Sequence, residues 1–352
     1  MFTKSAVISC SPLNTGLGIY SKLLYDLEFF EKLVFFKKSS GSDESGYSNI
    51  VKPRPELYPL RVFLSSYGIS FWKKYVEKFE QVHLTSPEFF HLEKYNANMT
   101  GTVHDLQPIG DGISRSAYSY AFRKYIQRNY ESMEKLQGLV TISKSTERAV
   151  REKFPNLNPV TIHQWTDSSF VRRDKEEARK RLNLDQDKRI ILAVSSAEPR
   201  KNQEILPEVI GKLPEEYIIL HIGSFERSIT GNRRIINIES VPEGDYPLYF
   251  NAADLLLSPS LHEGFGRPTI EAINSQLPVV LSDIPVNREI LPNYGYFADP
   301  VNAEEYMENI ERIMDLSETQ RYGLYSGIED YYREGRAMSD YRKFFDTTCG
   351  GN

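Results

Sequence analysis

The stretch Ser258-Pro259-Ser260-Leu261-His262-Glu263-Gly264-Phe265-Gly266-Arg267-Pro268-Thr269-Ile270-Glu271-Ala272 decides how this chain is read. Ahead of it, Ala252-Ala253-Asp254-Leu255-Leu256-Leu257 is a short apolar run of the kind a buried strand makes. Behind it Pro268 opens a helix, because proline has no N–H to leave unpaired in a first turn. Gly266 or Arg267 then becomes the cap, and Glu271 falls in that first turn.

Strand, glycine-bearing loop and helix N-terminus together make an anion site. Gly264 and Gly266 let backbone approach a ligand, and the helix dipole favours negative charge. Glu263 and Glu271 flank the same place with seven residues between them. Carboxylates there would repel a bare phosphate, so they suit hydroxyls attached to one. A ligand carrying phosphates and hydroxyl-rich rings is a nucleotide sugar.

Glu-x7-Glu within Glu263-Gly264-Phe265-Gly266-x-Pro268-x-x-Glu271-Ala272 resembles the donor-site signature of the retaining family-4 glycosyltransferases of GT-B fold, also called group 1. In that family the first Glu touches the donor sugar and the second binds the ribose hydroxyls. The resemblance places those roles on Glu263 and Glu271, with Gly264, Phe265 and Gly266 lining the donor. It implies an α/β fold of two Rossmann-like, doubly wound parallel-sheet domains facing a cleft. The alternative for the motif alone is a helix start whose Glu271 complements the dipole and whose glycines serve a turn.

At 352 residues the chain exceeds one ordinary core and divides into two. The expected boundaries are 1–165 for an acceptor-side domain, 166–330 for a nucleotide-sugar domain, and 331–352 for a helix and tail crossing back to the first. Hydrophobic residues at 40% and charged residues at 26% are ordinary for a globular protein. The balance of 43 basic and 48 acidic residues gives no global pull toward nucleic acid. Cys10 in a strand and Cys349 near the end form neither a metal spacing nor a disulfide framework, which fits a reducing, cytoplasmic interior. The opening residues lack a long apolar signal core, and no run approaches the roughly 18 apolar residues of a membrane span.

Along the first domain, Ser5 to Cys10 reads as a strand, followed by the Gly16-x-Gly18 loop and a helix through Leu23, Leu24, Leu27 and Phe30. A dinucleotide fingerprint needs a third small residue and an acid about twenty residues on. Ser21 stands at the former position, and Lys37-Lys38 follow where the acid belongs, so a nicotinamide-dependent enzyme is disfavoured. The resemblance instead puts Gly16 and Gly18 beside the donor phosphates. Ser39 to Pro59 reads as a mobile loop, a candidate acceptor flap. Phe71, Trp72, Tyr75 and Phe79 alternate with Lys73, Lys74 and Lys78, which suits either a core face with a basic edge or peripheral contact with an anionic, inner membrane face. The helix expected over Ser116 to Gln137, with Arg123, Lys124 and Arg128, leaves the same choice open.

The strand Thr100 to Leu106 ends in His104-Asp105, at the carboxyl end where open α/β sheets bind ligands. Its similarity to the family's Val-His-Asp-Leu strand end sets His104 near the transferred sugar and Asp105 on the acceptor side. Ser143 caps a further helix after the Gly138 to Ile142 strand. At the crossing, His163 to Phe170 keeps the family's Asp167 and Phe170, but Trp165 replaces its usual glycine.

In the second domain Arg189 to Ser196 is a strand leading to Glu198-Pro199-Arg200-Lys201. Two adjacent cations at a strand end are by themselves an ordinary solvated turn; in the family an Arg and a Lys here bind the donor diphosphate. Strands over Tyr217–Ile222, Arg234–Ile238, Leu255–Leu257 and Val279–Ser282 alternate with helices and continue a parallel sheet. The base is expected near Gly223 and the Val241 to Tyr246 stretch. Together the resemblance makes Glu263, His104, Arg200 and Lys201 the catalytic set for hexose transfer from a nucleotide-diphosphate sugar to a glycan, lipid-linked or protein-glycan hydroxyl. No cofactor or metal is expected, since fixed cations and N–H groups can meet the charge that develops on the leaving diphosphate. The competing reading is a non-catalytic GT-B protein that binds nucleotide or glycan.

Overall fold

The computed structural model describes residues 4–9, 15–37, 48–51, 73, 76–109, 120–226 and 231–349. Most of Ser39 to Pro59, the aromatic and lysine stripe before Val76 apart from Lys73, Cys10, and the start of the Ser116 helix lie outside them. The chain divides into two units, residues 1–164 with 337–352, and residues 165–336.

In the first unit β1 (Ser5–Ile8), α1 (Gly16–Asp26), β2 (Lys32–Lys37), β3 (Ser48–Val51), β4 (Gln81–Leu84), β5 (Met99–Val103), α2 (Tyr120–Glu131), β6 (Gly138–Thr141), α3 (Lys144–Lys153) and β7 (Val160–Thr161) follow in turn. The strands pair in parallel in the order β3-β2-β1-β4-β5-β6-β7. Strands covered on both faces are apolar without alternation, and Ala6, Val7, Ile8, Val82, Leu84 and Val103 are accordingly buried. β3 corrects one expectation. Ser48 to Val51 lies inside the stretch read as a loop, yet Asn49 and Ile50 pair with Phe35 and Phe36 at the sheet edge. The surrounding Ser, Gly and Pro residues masked so short a strand.

The second unit contains α4 (Lys175–Arg181), β8 (Arg189–Val194), α5 (Leu206–Lys212), β9 (Tyr217–Ile222), β10 (Ile235–Ile238), α6 (Tyr246–Ala252), β11 (Leu255–Ser258), α7 (Arg267–Asn274), β12 (Val279–Ser282), α8 (Pro285–Ile290), β13 (Tyr296–Ala298), α9 (Ala303–Met314) and α10 (Glu318–Gly323). Its parallel sheet runs β10-β9-β8-β11-β12-β13. Ile191, Ile219, Leu255, Leu257 and Val280 pack with Val209, Ile210, Tyr306, Ile310 and Ile313 into the core. The last helix, α11 (Glu334–Cys349), delivers Tyr341, Phe344 and Phe345 to the first unit, where Phe345 meets Phe29 and Phe30 with ring centroids 5.4 Å apart. Cys349, expected in a tail, is the last residue of this helix.

Beneath the first sheet's carboxyl edge lies a buried polar chain. His83, fully buried, is hydrogen-bonded through Nδ1 to the Thr100 hydroxyl and through Nε2 to the Thr102 hydroxyl, both at 2.8 Å. The Thr102 hydroxyl also meets the Tyr20 hydroxyl at 2.9 Å, and Tyr20 is hydrogen-bonded to the hydroxyl of Tyr341. Burial, reinforced by neighbouring His104, lowers His83 from 6.5 to about 3.

Two predictions follow from this packing. Gly223 has φ +118°, and a Cβ there would lie 2.2 Å from the Ser195 carbonyl oxygen. Gly223→Ala should therefore cost about 2 kcal/mol or more and lower the melting temperature by several degrees. The unfolded chain binds a proton on His83 at a pH where the folded chain does not, so stability is present above about pH 6.5 and is lost as pH falls. Unfolding free energy, measured by denaturant titration, should drop by up to about 1.4 kcal/mol per pH unit from this group, and His83→Gln should make that slope shallower.

Candidate active site

In an open α/β sheet the ligand crevice opens at the carboxyl edge where strand order reverses. In the second unit that point lies between β8 and β11, which pair through Ile191–Leu255 and Leu192–Leu256. β8 runs through Ser195–Glu198 into a tight 3-10 turn, Pro199–Lys201. β11 runs into the Pro259–Gly266 loop. The two are pinned together by Leu261 N–H donating to the Arg200 carbonyl at 2.8 Å. Asn202, at φ 53°, donates its amide to the carbonyls of Pro259 at 3.1 Å and Pro300 at 2.7 Å.

This juxtaposition clamps Glu263. Lys201 Nζ donates to its Oε1 at 2.6 Å, Arg200 Nη1 to its Oε2 at 3.2 Å, and the Ser260 hydroxyl to Oε1 at 2.7 Å. The carboxylate is only 8% exposed. Its two cations satisfy a charge that would otherwise be costly to bury. Glu198 occupies the other side of Arg200, accepting from Nε at 2.8 Å. Burial resists ionisation of Glu198, but Arg200, with the Ser196 hydroxyl, holds its carboxyl below the usual range. The cluster is balanced, two cations against two carboxylates, so an anion drawn to Arg200 and Lys201 competes with carboxylates already there. Neither Glu198 nor Ser260 was anticipated from the sequence; Glu198 could have been, two residues from Arg200.

Helix α7 begins after Gly266, whose φ of 94° and ψ of 60° only glycine adopts readily. Its first turn has no side-chain cap, unlike α1, capped by Thr15, and α3, capped by Ser143. Phe265 is buried and its ring faces Tyr332 at 6.2 Å. Gly266 is the cap, as one of the two expectations had it, but Glu271 is the fifth helical residue and lies in the second turn. Pro268 sits second in the helix rather than first, which moves the count by one.

Glu271 is 3% exposed and held at both oxygens: Arg267 Nη2 donates to Oε1 at 2.9 Å and the Tyr246 hydroxyl to Oε2 at 3.0 Å. Burial raises its carboxyl above the usual range, against the opposing pull of Arg267 and Tyr246. Arg267 also reaches the carbonyl of Trp165 at 3.4 Å. Trp165 itself is 1% exposed. Arg267 was not among the expected site residues, although its spacing of four from Glu271 on a helix is the signal for such a pair.

In the first unit the corresponding reversal lies between β1 and β4. His104, just past β5, is hydrogen-bonded through Nε2 to the Thr85 carbonyl at 3.1 Å, so Nε2 carries the proton. The Tyr20 ring stands perpendicular to it, 4.7 Å away. Burial, against the pull of that carbonyl bond, lowers His104 to about 4, and the imidazole is neutral at physiological pH. Asp105 uses Oδ1 to accept from Gln107 N–H at 3.1 Å, closing a local turn. Gly16 and Gly18, expected in a loop, are the first and third residues of α1, and Gly18 N–H donates to the Thr15 hydroxyl at 3.1 Å. Residues 10–14, just before them, lie outside the described residues. Among the described residues no three His, Cys, Asp or Glu side chains gather as metal ligands, and no helix is long and apolar enough to cross a membrane.

Residues 174–326 match the family model of glycosyl transferases group 1. Over 323 residues the chain is 23% identical to the O-antigen chain mannosyltransferase RfbU of Salmonella typhimurium, spanning 86% of this chain and 84% of that protein. Sucrose-phosphate synthase of Thermosynechococcus elongatus superposes with a TM-score of 0.82 at 16% identity over 99% of both chains. Anabaena HepE, solved with UDP and glucose, superposes at 0.76 with 13% identity, over 98% of this chain and 99% of its own. The likeness to these two solved structures is one of fold. Residues 174–326 thus form a group 1 glycosyltransferase domain, which makes the chain a nucleotide-sugar-dependent glycosyltransferase, and its fold is that of the GT-B structures it superposes on.

Proposed function

We propose that this enzyme transfers a hexose, with retention of anomeric configuration and without a metal, from a nucleotide-diphosphate sugar to a hydroxyl of a glycan or lipid-linked acceptor. The observation that carries this reading is the Glu263 carboxylate held between Arg200 and Lys201 at the switch point of the sheet. The name of the Salmonella relative favours mannose as the hexose and a surface polysaccharide as the product. A lipid-linked acceptor would bring the enzyme to a membrane surface.

When the anomeric C–O bond breaks, charge develops on the departing diphosphate. In this reading Arg200, Lys201 and the backbone amides around Phe265 and Gly266 are the donors for that charge. Each charged hydrogen bond contributes roughly 1.5–3 kcal/mol, so a few of them supply much of the smallest enzymatic barrier reductions, about 8 kcal/mol. These donors are the support for metal independence. Glu263, once its cations turn to the diphosphate, accepts from hexose hydroxyls, and Glu271 accepts from the ribose. Neutral His104 hydrogen-bonds the sugar without adding charge. Gly16 and Gly18, at the start of α1, are assigned to the donor phosphates. Asp105 stays on the acceptor side, its carboxylate partly engaged by the local turn.

Retention follows if the acceptor attacks from the face the diphosphate leaves. The new anomeric C–O bond forms there as the old one breaks, and the acceptor's proton passes to the departing phosphate oxygen. No carboxylate nucleophile is then needed.

A panel of UDP, GDP and ADP sugars tests the reading. One nucleoside diphosphate and its hexose conjugate should raise the melting temperature by mass action, and the product's anomeric configuration, read by NMR, should match the donor's. An inverted product would overturn retention, and loss of activity in excess chelator would overturn metal independence. Glu263→Gln should lower kcat by at least about a hundredfold while the nucleoside diphosphate binds as tightly as before or tighter, because Arg200 and Lys201 lose their competitor. Unchanged transfer would remove Glu263 from the mechanism.

A further inference from the structure

We infer that Arg267 and Tyr246 are positioning residues that hold the Glu271 carboxylate as a two-sided acceptor for a vicinal ribose diol, and so set the enzyme's preference for ribo- over deoxyribonucleotide donors. This rests on the reading of Glu271 as the ribose acceptor and adds to it what orients that acceptor.

The geometry is specific. Each carboxylate oxygen takes one protein donor, Arg267 on Oε1 at 2.9 Å and Tyr246 on Oε2 at 3.0 Å. A carboxylate offers about four lone-pair directions, so each oxygen retains one for a ligand hydroxyl. Two hydroxyls on adjacent carbons match two acceptor sites on one carboxylate; a single hydroxyl uses only half of them.

Both donors are themselves fixed. The Arg267 guanidinium is anchored at its other end on the Trp165 carbonyl, and its side chain is mostly buried. Asn274, on the same helix, donates to the Thr166 hydroxyl at 2.5 Å and the Tyr332 carbonyl at 3.2 Å. The Tyr246 ring stands edge-on to Phe170 at 5.9 Å and Phe250 at 5.3 Å. Burial, together with the adjacent carboxylate, raises Tyr246 well above its ordinary value, so its O–H remains a donor throughout the working pH range. A buried ion pair gives little net stability over an apolar pair of similar shape, so packing alone does not account for a carboxylate held this way beside the start of α7.

The test compares dissociation constants of the full-length chain for the stabilising ribonucleoside diphosphate and for its 2′-deoxy and 3′-deoxy forms. Wild type should favour the ribo form by about tenfold or more. Glu271→Gln should erase most of that ratio. Tyr246→Phe, which keeps the ring packing, should shrink the ratio several-fold while leaving deoxy binding nearly unchanged. Arg267→Gln should do the same, and Arg267→Lys should recover part of it. If Glu271→Gln erases the ratio while Tyr246→Phe and Arg267→Gln keep the wild-type value, the positioning role is overturned and the ribose reading stands. If wild type shows no ratio, or Glu271→Gln preserves it, the ribose reading fails and this inference with it. Melting temperatures of each variant establish folding, and Tyr246→Phe alone suffices if Arg267→Gln does not fold.

Discussion

The second unit depends on a constraint of sheet topology. Where a parallel sheet reverses its strand order, the loops leaving two adjacent strands diverge and leave a crevice. Between β8 and β11 that crevice receives the Pro199–Lys201 turn from one side and the Pro259–Gly266 loop from the other. Two cations from the first loop and one carboxylate from the second meet there because a buried carboxylate needs partners on each oxygen. The surrounding hydrogen bonds, Leu261 to Arg200 and Asn202 to Pro259 and Pro300, fix the loops so that the charges stay opposed rather than solvated.

The two glutamates of the signature end up in different electrostatic settings. Glu263 sits among two cations and a hydroxyl at the loop tip. Glu271 lies a turn into a helix, where burial pushes its carboxyl upward and one guanidinium with one phenol opposes it. The first arrangement can share a cation between carboxylates, since Arg200 also donates to Glu198. The second cannot, because Arg267 is tied to the Trp165 carbonyl. One carboxylate thus belongs to an exchangeable charge cluster and the other to a fixed one. Under the proposed function, that difference suits contacts with the transferred sugar in one case and with the retained nucleoside in the other.

In the first unit several buried polar groups are paired with one another: His83 with Thr100 and Thr102, Thr102 with Tyr20, Tyr20 with Tyr341, and the Ser21 hydroxyl with that of Thr85. Tyr341 comes from the last helix, so the returning chain end completes the support under Tyr20, whose ring packs on His104. A buried hydroxyl left without a partner costs more than a pair gains, and this explains why a helix so distant in sequence is specified at that place.

Much of this was legible in the sequence. Apolar runs without alternation announced buried parallel strands, and Pro268 with Gly266 announced the start of α7, because proline and glycine restrict or free the backbone locally whatever surrounds them. Glu263 and Glu271 were singled out by the spacing of a motif, and Arg200 and Lys201 by a family resemblance at a strand end; the structure brings Arg200, Lys201 and Glu263 into contact. The sequence misread Ser48–Val51, where turn-forming neighbours hid a short edge strand, and it placed Gly16 and Gly18 in a loop although both are helical. Charge pairing across loops was beyond its reach: Arg200 and Glu263 are 63 residues apart, and Tyr20 and Tyr341 are 321 apart. Local residue types determined by themselves which backbone each segment would adopt and which loops could approach an anion. Only the tertiary structure decided which carboxylate each cation would satisfy, because that choice is made by sheet order and by the cost of leaving a buried charge alone.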